Sequence, residues 1–293
     1  MKNYFPESEL IINEDGSIFH LHLHPEQIAD KIILVGDPGR VALVASYFDN
    51  KECEVESREF KSITGSYKGK RLTVVSTGIG CDNIDIVVNE LDALANIDFK
   101  KRTEKEEHRT LDIVRIGTCG GLQPHTPIGT YILSEKSIGF DGLINFYDGR
   151  ARVSDLHLEE AFKSHTNWNI SMGNPYVVSS NNELTNRIAG IDDKRIVRGV
   201  TIACGGFYGP QGRRLRIPLA EPELNNRIIS FKYQDYCVTN FEMESSALAG
   251  LSLLLGHKAT TICMVIANRI AGKANTSYKT SINDLIQLVL ERI

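Results

Sequence analysis

Three short, mostly β-branched apolar runs in the first half of the chain each stop at glycine. Ile32-Ile33-Leu34-Val35 ends at Gly36. Arg71-Leu72-Thr73-Val74-Val75-Ser76 ends at Thr77-Gly78-Ile79-Gly80, and Asp112-Ile113-Val114-Arg115-Ile116 is broken off by glycines 117, 120 and 121. Runs of this length and composition read as buried strands. Between them, Val41 to Phe48 and Ile84 to Leu94 carry apolar residues at helical spacing. Gly129 to Ser134 and Val197 to Ile202 add strand signal, and Ser245 to Leu255 is an apolar helix closed by Gly256-His257. Thr260 to Ile266 is a late buried strand, and Ser281 to Asp284 has the spacing of a capping box opening a last helix. Strands alternating with helices restrict the chain to an α/β fold with three layers, a central mixed and twisted β-sheet flanked by helices. No linker, repeat or low-complexity stretch divides the 293 residues. The expectation is one domain over residues 1–293, with its core from about 19 to 293 and a short N-terminal extension at 1–18. The mixed-charge run Lys100 to Arg109 reads as a solvated surface insertion.

The net charge of −4 gives no global basic field to draw the chain to nucleic acid or to a membrane surface. No segment approaches the apolar length that spans a bilayer, and Met1 to Glu7 is polar with no signal-like apolar core. Six cysteines, at 53, 81, 119, 204, 237 and 263, form no CxxC pair, which removes zinc-knuckle and thioredoxin-like chemistry. A cytoplasmic protein with free thiols is the expectation.

Four separated motifs carry the chemistry. In Gly36-Asp37-Pro38-Gly39-Arg40 the glycines let backbone come close to a ligand, and Pro38 suits the first turn of a helix whose free N–H groups favour an anion. Arg40 adds a guanidinium that grips phosphate oxygens. Arg115 lies inside an apolar strand before Gly117-Thr118-Cys119-Gly120-Gly121. A buried arginine needs a partner, either a structural carboxylate or a phosphate shared with Arg40 and Thr118. No Gly-Lys-Ser/Thr follows these glycines and no complete GxGxxG occurs, so a small free anion fits better than a triphosphate or dinucleotide. Phe207 to Arg213 offers an aromatic ring, the Gln211 amide and a guanidinium. Phe241-Glu242-Met243-Glu244 offers carboxylates, which read equally as sugar ligands or as first-turn helix acids. His20, His22 and His24 alternate as they would on one strand face, but no carboxylate or cysteine completes a metal-ligand spacing, and no metal is expected.

In combination these motifs resemble those of the nucleoside phosphorylases, and within them the uridine-cleaving branch. The resemblance runs from about Phe19 to Arg269 through Phe19-His20-Leu21, Gly36-Asp37-Pro38-x-Arg40, Arg58-Glu59-Phe60, Ser76 to Gly80, Arg115 to Thr118, Phe207-Tyr208-x-x-Gln211-x-Arg213, Glu242-Met243-Glu244 and Asn268-Arg269. It implies phosphate held by Gly36, Arg40, Arg115 and Thr118, with Arg58 contributed by a neighbouring subunit. It implies ribose held by Glu244, with Glu242 nearby and Met243 packed on the sugar, and a partner's His20 on the 5′-hydroxyl. The base would stack near Phe207, bond to Gln211 and Arg213, and be flanked by Ile266. Catalysis would rest on Arg115, Gln211, Arg213 and Glu244, with no cofactor beyond phosphate as substrate.

Purine-cleaving members carry an aspartate soon after the late strand, where this chain reads Ile266-Ala267-Asn268-Arg269. The resemblance therefore implies reversible phosphorolysis of uridine, with deoxyuridine and thymidine open. A purine phosphorylase, a nucleosidase and a non-catalytic nucleoside-binding protein remain alternatives. It also implies a homodimer, or a hexamer of three dimers. Some relatives bind a monovalent cation at the subunit interface through a glutamate like Glu59 and the segment held here by Cys81-Asp82-Asn83. Asn83, Cys119 and Gly205-Gly206 depart from the family pattern.

Overall fold

The first strand shows why the apolar runs are continuous. Ile32 and Leu34 enter one core cluster while Ile33 and Val35 enter another, so both faces of the strand are covered. Each such side chain contributes about 1.5–3 kcal/mol by leaving water. A computed structural model describes residues 4–191, 193–275 and 281–293, so residues 1–3 of the expected extension lie outside it. In chain order the elements are β1 (Lys31–Val35), α1 (Pro38–Ala45), β2 (Asn50–Ser57), β3 (Phe60–Tyr67), β4 (Lys70–Ser76) and α2 (Cys81–Asn96). A small hairpin, β5 (Ile97–Asp98) and β6 (Thr103–Glu104), precedes β7 (Asp112–Gly121) and β8 (Tyr131–Gly139). Then come α3 (Arg150–Val153), α4 (Leu156–Thr166), β9 (Tyr176–Ser179), α5 (Asn182–Ala189), β10 (Ile196–Ala203) and α6 (Leu224–Ser230). The chain finishes with β11 (Lys232–Tyr233), β12 (Tyr236–Glu242), α7 (Ser245–Leu255), β13 (Lys258–Asn268), β14 (Lys273–Ala274) and α8 (Ile282–Arg292).

Among the described residues twelve strands form one sheet, in the order β11-β12-β10-β8-β13-β7-β1-β4-β3-β2, with β14 on β13 and β9 on β8. β1, β4, β7 and β13 run parallel, whereas β8 is antiparallel to β13 and carries β10 and β12 in its own direction. Helices α2 and α7 cover one face, with Val87, Leu91, Leu248 and Leu251. Helices α1, α5 and α8 cover the other, with Val41, Leu184, Leu285 and Val289. The mixed sheet between two helical layers is the expected architecture.

Four local readings are corrected. Strand β7 does not break at Gly117 but runs on to Gly121. Its tail pairs antiparallel with β12, Gly121 with Asn240 and Gly120 with Phe241, so β7, β13, β8, β10 and β12 close a ring. Helix α1 starts at Pro38, as that proline's first-turn placement expected, rather than at the Val41 of the apolar spacing, and Asp37 caps it by accepting from Gly39 N at 2.9 Å. Ser281 has helical dihedrals and makes no capping hydrogen bond. Helix α8 is fixed instead by its buried face, Ile282, Leu285, Ile286 and Val289. Finally, His20, His22 and His24 lie on no strand: Ile18 to His22 is a turn, closed by His22 N on Ile18 O at 3.0 Å, with His22 at φ 52°.

The charged run Lys100 to Arg109 does more than meet solvent. Lys105 Nζ donates to the last carbonyls of α2, Ala95 O at 2.8 Å and Leu94 O at 3.3 Å. Arg102 Nε donates to Phe5 O at 2.8 Å, and Arg109 Nη2 to Ile28 O at 2.8 Å. These bonds tie the hairpin to the N-terminal segment, whose Leu10 and Ile18 are buried in the core. No helix among the described residues is long and apolar enough to cross a membrane.

Candidate active site

The parallel strands β1, β4 and β7 deliver the expected anion motifs to one rim. Register pairs Val35 with both Ser76 and Ile116, so Gly36 stands beside the Thr77-Gly78 and Gly117-Thr118 segments. A Cβ on Gly36 would stand 3.3 Å from the Gly78 carbonyl. Arg40, from the first turn of α1, reaches across to donate from Nη1 to Ile116 O at 3.3 Å. Thr118 is half-buried on the same stretch of β7.

Arg115 takes the ion-pair alternative. Its Nη1 lies 3.2 Å from Glu242 Oε2 and its Nη2 pairs with Glu244 Oε2, while all three residues are at most 5 % exposed. Nη1 also donates to Cys263 Sγ at 3.6 Å, and Nε has no partner among the described residues. Gly117 makes this path possible: a Cβ there would overlap Arg115 Nη1 and stand 2.7 Å from Cys263 Sγ. Burial opposes the charge on Arg115, but Glu244 and Glu242 override it and hold the guanidinium above its ordinary value. Burial pushes the Glu242 carboxyl up, against the pull of Arg115.

The two glutamates have different duties. Glu242 accepts from Glu244 N at 2.9 Å, Ser245 N at 3.0 Å and Ser245 Oγ at 2.7 Å, and so closes the N-terminus of α7. The helix-acid reading therefore describes Glu242. Glu244 Oε1 accepts from Gly80 N at 2.7 Å, which leaves its further lone pairs as acceptor capacity. Met243 lies half-buried between them, and its carbonyl accepts from Cys81 Sγ at 3.2 Å.

On the base side, Arg213 covers Phe207, with its guanidinium carbon 3.7 Å from the ring centroid. It also donates to Phe207 O at 2.6 Å and to Gln211 Oε1. Burial, with Arg269 beside it, pulls Arg213 down to about 10. The Phe207 face that was to stack a base is thus occupied by a side chain, a correction of pose rather than of neighbourhood. Gln211 is buried, and Arg269 Nη2 donates to its backbone oxygen at 2.6 Å. Ile266 falls where the β13–β7 register shifts, between Val265 and Ala267. A bulge of this kind re-aims a side chain out of the strand alternation.

His20 and Arg58 stand apart from this cluster. His20 is held by Glu90 and flanked by Phe19 and Phe60, with ring centroids at 4.6 and 6.3 Å. Arg58, at φ 55° in the turn between β2 and β3, lies 5.8 Å from the Phe19 ring. Among the described residues no hydrogen bond, ion pair or ring contact joins either to Arg115, Glu244, Gln211 or Arg213 of the same chain.

The departures from the family pattern resolve in part. Cys119 is buried with Cys263, Ile132 and Val265, and burial pushes its thiol well up, so it is an inert core group. Asn83 Nδ2 donates to Ile79 O at 3.4 Å, an amide turned back on its own loop. A Cβ on Gly206 would stand 3.0 Å from Pro210 Cγ, so the bare backbone admits the proline.

A different cluster has metal-like composition: Asp92, His108 and His257 bring ligand atoms within 4.8 Å of one another. His257 Nδ1 accepts from Leu111 N at 3.2 Å, so its Nε2 carries the proton and donates it to Asp92 Oδ1 at 3.1 Å. That proton occupies the position a metal would need. The cluster borders a cavity of about 780 Å³ between the N-terminal segment and the β5–β6 hairpin, which His20 lines but the phosphate and base candidates do not.

The sequence pattern of the phosphorylase superfamily matches residues 30–292. The chain belongs to that family. A uridine phosphorylase of Thermococcus kodakarensis is 28% identical to it over 93% of this chain and 85% of its own length. A DeoD-type purine nucleoside phosphorylase of Oceanobacillus iheyensis is 29% identical over 94% of this chain and 98% of its own. Among solved structures, a Trypanosoma brucei nucleoside phosphorylase described as showing uridine phosphorylase activity superposes with a TM-score of 0.87 at 30% identity, covering 97% of this chain and 98% of that one. The protein is an enzyme of the nucleoside phosphorylase kind, a pentosyltransferase.

Several residues that hold candidate side chains in place were given no such role by the motif reading. Gly80 N–H and Gly117 lay inside quoted motifs, whereas Cys263, Ser245 and Glu90 lay outside them. Only Ser245 was legible in principle, as the residue three after Glu242 at a helix start. Arg269 belonged to a motif but carried no assigned role until its bond to Gln211 placed it.

Proposed function

We propose that the enzyme is a uridine phosphorylase, converting uridine and phosphate reversibly to uracil and ribose 1-phosphate, with deoxyuridine and thymidine as the neighbouring substrates. The observation that carries this is the Gln211–Arg213–Arg269 cluster. It gathers an amide and two guanidiniums with no carboxylic acid among them. Such donors suit the carbonyl oxygens of a departing uracil anion. A purine base leaves more easily with a proton at N7. Asn268 is poorly suited to give one, because its Nδ2 is spent on Thr126 O at 2.8 Å and Gln123 O at 3.2 Å and its Oδ1 on Ala271 N at 2.8 Å.

The bond order of events follows from charge. Phosphate at the Gly36–Arg40–Thr118 rim attacks C1′ from below as the glycosidic bond stretches. Arg115, paired with Glu242 and Glu244, adds a buried positive charge on the strand that leads into Thr118. Glu244 holds the ribose hydroxyls, and Met243 and Ile266 pack on sugar and base. Arg213 swings from the Phe207 ring to the uracil, which then takes its place in the stack. Positioning of two bound substrates supplies much of the acceleration.

Within one chain the charge of Arg115 is offset by Glu242 and Glu244, so Arg40 and Arg115 together attract a phosphate dianion weakly. A third guanidinium is needed, and Arg58 of a second copy supplies it together with His20 for the 5′-hydroxyl. The active unit is therefore a homodimer, or a hexamer of such dimers. It acts as one domain in the cytoplasm in pyrimidine salvage, with no cofactor besides the phosphate that is consumed.

Purine phosphorolysis is the second reading, favoured by the DeoD-type relatives at equal identity. The test is base release by the purified protein from uridine and from inosine, each with and without inorganic phosphate. The expected result is uracil release only with phosphate and little hypoxanthine. Phosphate-dependent release from inosine alone would show that Gln211 and Arg213 are misread. Release without phosphate would make the protein a nucleosidase, and no release from either would return it to a binding role.

A further inference from the structure

The residue that would read the ribose 5′ end is organised by a single carboxylate that no motif singles out. Glu90, on α2, accepts from His20 N at 3.0 and 3.1 Å, from Leu21 N at 2.9 Å and from His20 Nδ1 at 2.6 Å. A carboxylate only accepts, so a ring N–H is at Nδ1, and in the neutral ring Nε2 presents a lone pair. Nε2 has no partner among the described residues, and the side chain is 24% exposed. Phe19 and Phe60 meet the ring edge to face and limit its rotation.

We propose that Glu90 is a positioning and specificity-determining residue for the ribose 5′ end. It fixes His20 as a hydrogen-bond acceptor, and so selects nucleosides whose 5′ oxygen carries a proton. This rests on the uridine phosphorylase reading and on His20 acting at the site of a second copy. A 5′-hydroxyl donates into Nε2. A 5′-deoxynucleoside offers no donor, and a 5′-O-methyl ether meets the lone pair with another lone pair, leaving polar groups unpaired. The backbone bonds add a second consequence. The same carboxylate pins the turn that carries Phe19, the ring beneath Arg58, so the phosphate arginine and the ribose histidine share one anchor.

Substituting Glu90→Gln separates the tautomer from the backbone role. The amide oxygen can take the place of Oε2 and keep the bonds from His20 N and Leu21 N. The amide nitrogen then faces Nδ1 as a donor, which forces the proton to Nε2 and turns His20 from acceptor to donor. The experiment compares kcat/KM for uridine, 5′-deoxyuridine and 5′-O-methyluridine in the wild type, Glu90→Gln, His20→Ala and the double variant. Wild type is expected to prefer uridine to the ether by at least about tenfold, and Glu90→Gln to reduce that ratio by about tenfold. His20→Ala is expected to erase the dependence on Glu90, so that the double variant matches the single one. A uridine-to-ether ratio unchanged by Glu90→Gln overturns the proposal, because a purely structural glutamate would lower all three substrates together. Should Glu90→Gln fail to fold, nitrogen-15 shifts of His20 in the wild type decide: a ring protonated at Nδ1 alone supports the assignment, and one with a proton at Nε2, neutral or doubly protonated, sinks it. That measurement stands even where uridine is not a substrate, so failure of the functional reading is distinguishable from failure of this one.

Discussion

Two groups of side chains that the family chemistry would bring to one substrate are held in opposite ways. Arg115, Glu242 and Glu244 are buried together at the junction of β7, β12 and α7, with Gly80 N–H and Ser245 closing the shell. Phe19, His20 and Arg58 sit on turns at the surface, fastened by Glu90 and by ring contacts. The first group must be completed by its own fold, because an unmatched charge in a dry interior costs several kcal/mol. The second can stay half-solvated until something covers it. A chain that carries one finished half-site and one exposed half-site is suited to sharing sites between copies.

The largest effect should come from breaking the buried half. Arg115→Met leaves Glu242 and Glu244 without their shared cation and should cost about 3–5 kcal/mol of stability, read as a shift in the urea midpoint, together with activity. A loss below about 1 kcal/mol would mean that the carboxylates are neutralised by protons rather than by the arginine. Arg213→Ala comes next. It should lower kcat/KM for uridine by at least roughly a hundredfold, as removal of a leaving-group donor does, with little change in stability. Near-wild-type kinetics would leave Arg213 as a cover for Phe207 and nothing more.

The two halves also differ in how far the sequence announced them. The fold was legible because β1, β4 and β7 are two-sided apolar strands, and such runs have few other uses. Arg115 was legible as an anomaly, a charge inside a strand, but its partner was not. Glu242 lies 127 residues away, and only the ring closure of β7 onto β12 brings them together. Gly117 was read as a strand breaker, since a glycine that admits a side chain from the same strand looks identical in sequence to one that ends it. Glu90 was invisible for a related reason: nothing in an amphipathic helix distinguishes the one acid that meets a distant turn. Contacts across the sheet, not local pattern, carry that information.

Gly117→Ala tests the first of these blind spots and should have a smaller effect. The added methyl overlaps the Arg115 guanidinium and crowds Cys263, with no flexible chain end on the sulfur side to yield. Overpacking of this kind costs about 1–3 kcal/mol, and the displaced Arg115 should take activity down with it. A stable and active Gly117→Ala enzyme would show that the arginine does not need its present path.

The smallest effect bears most directly on the comparison. Arg213→Ala removes a residue of the base cluster, which the proposed site places beside the buried half of the same chain, and Arg58→Ala removes one of the exposed half. Each homo-oligomer should be poorly active. If the halves meet only between copies, a mixed dimer has one site with both lesions and one with neither. Random reassortment of equal amounts makes half the dimers mixed, so activity should recover to about a quarter of wild type. Recovery requires subunit exchange, which a tagged copy pulled down with an untagged one verifies in the same sample. No recovery after confirmed exchange would place Arg58 and Arg213 at the same chain's site, and the half-site division would fall. Recovery would fix Arg58 as a guanidinium supplied by the second copy.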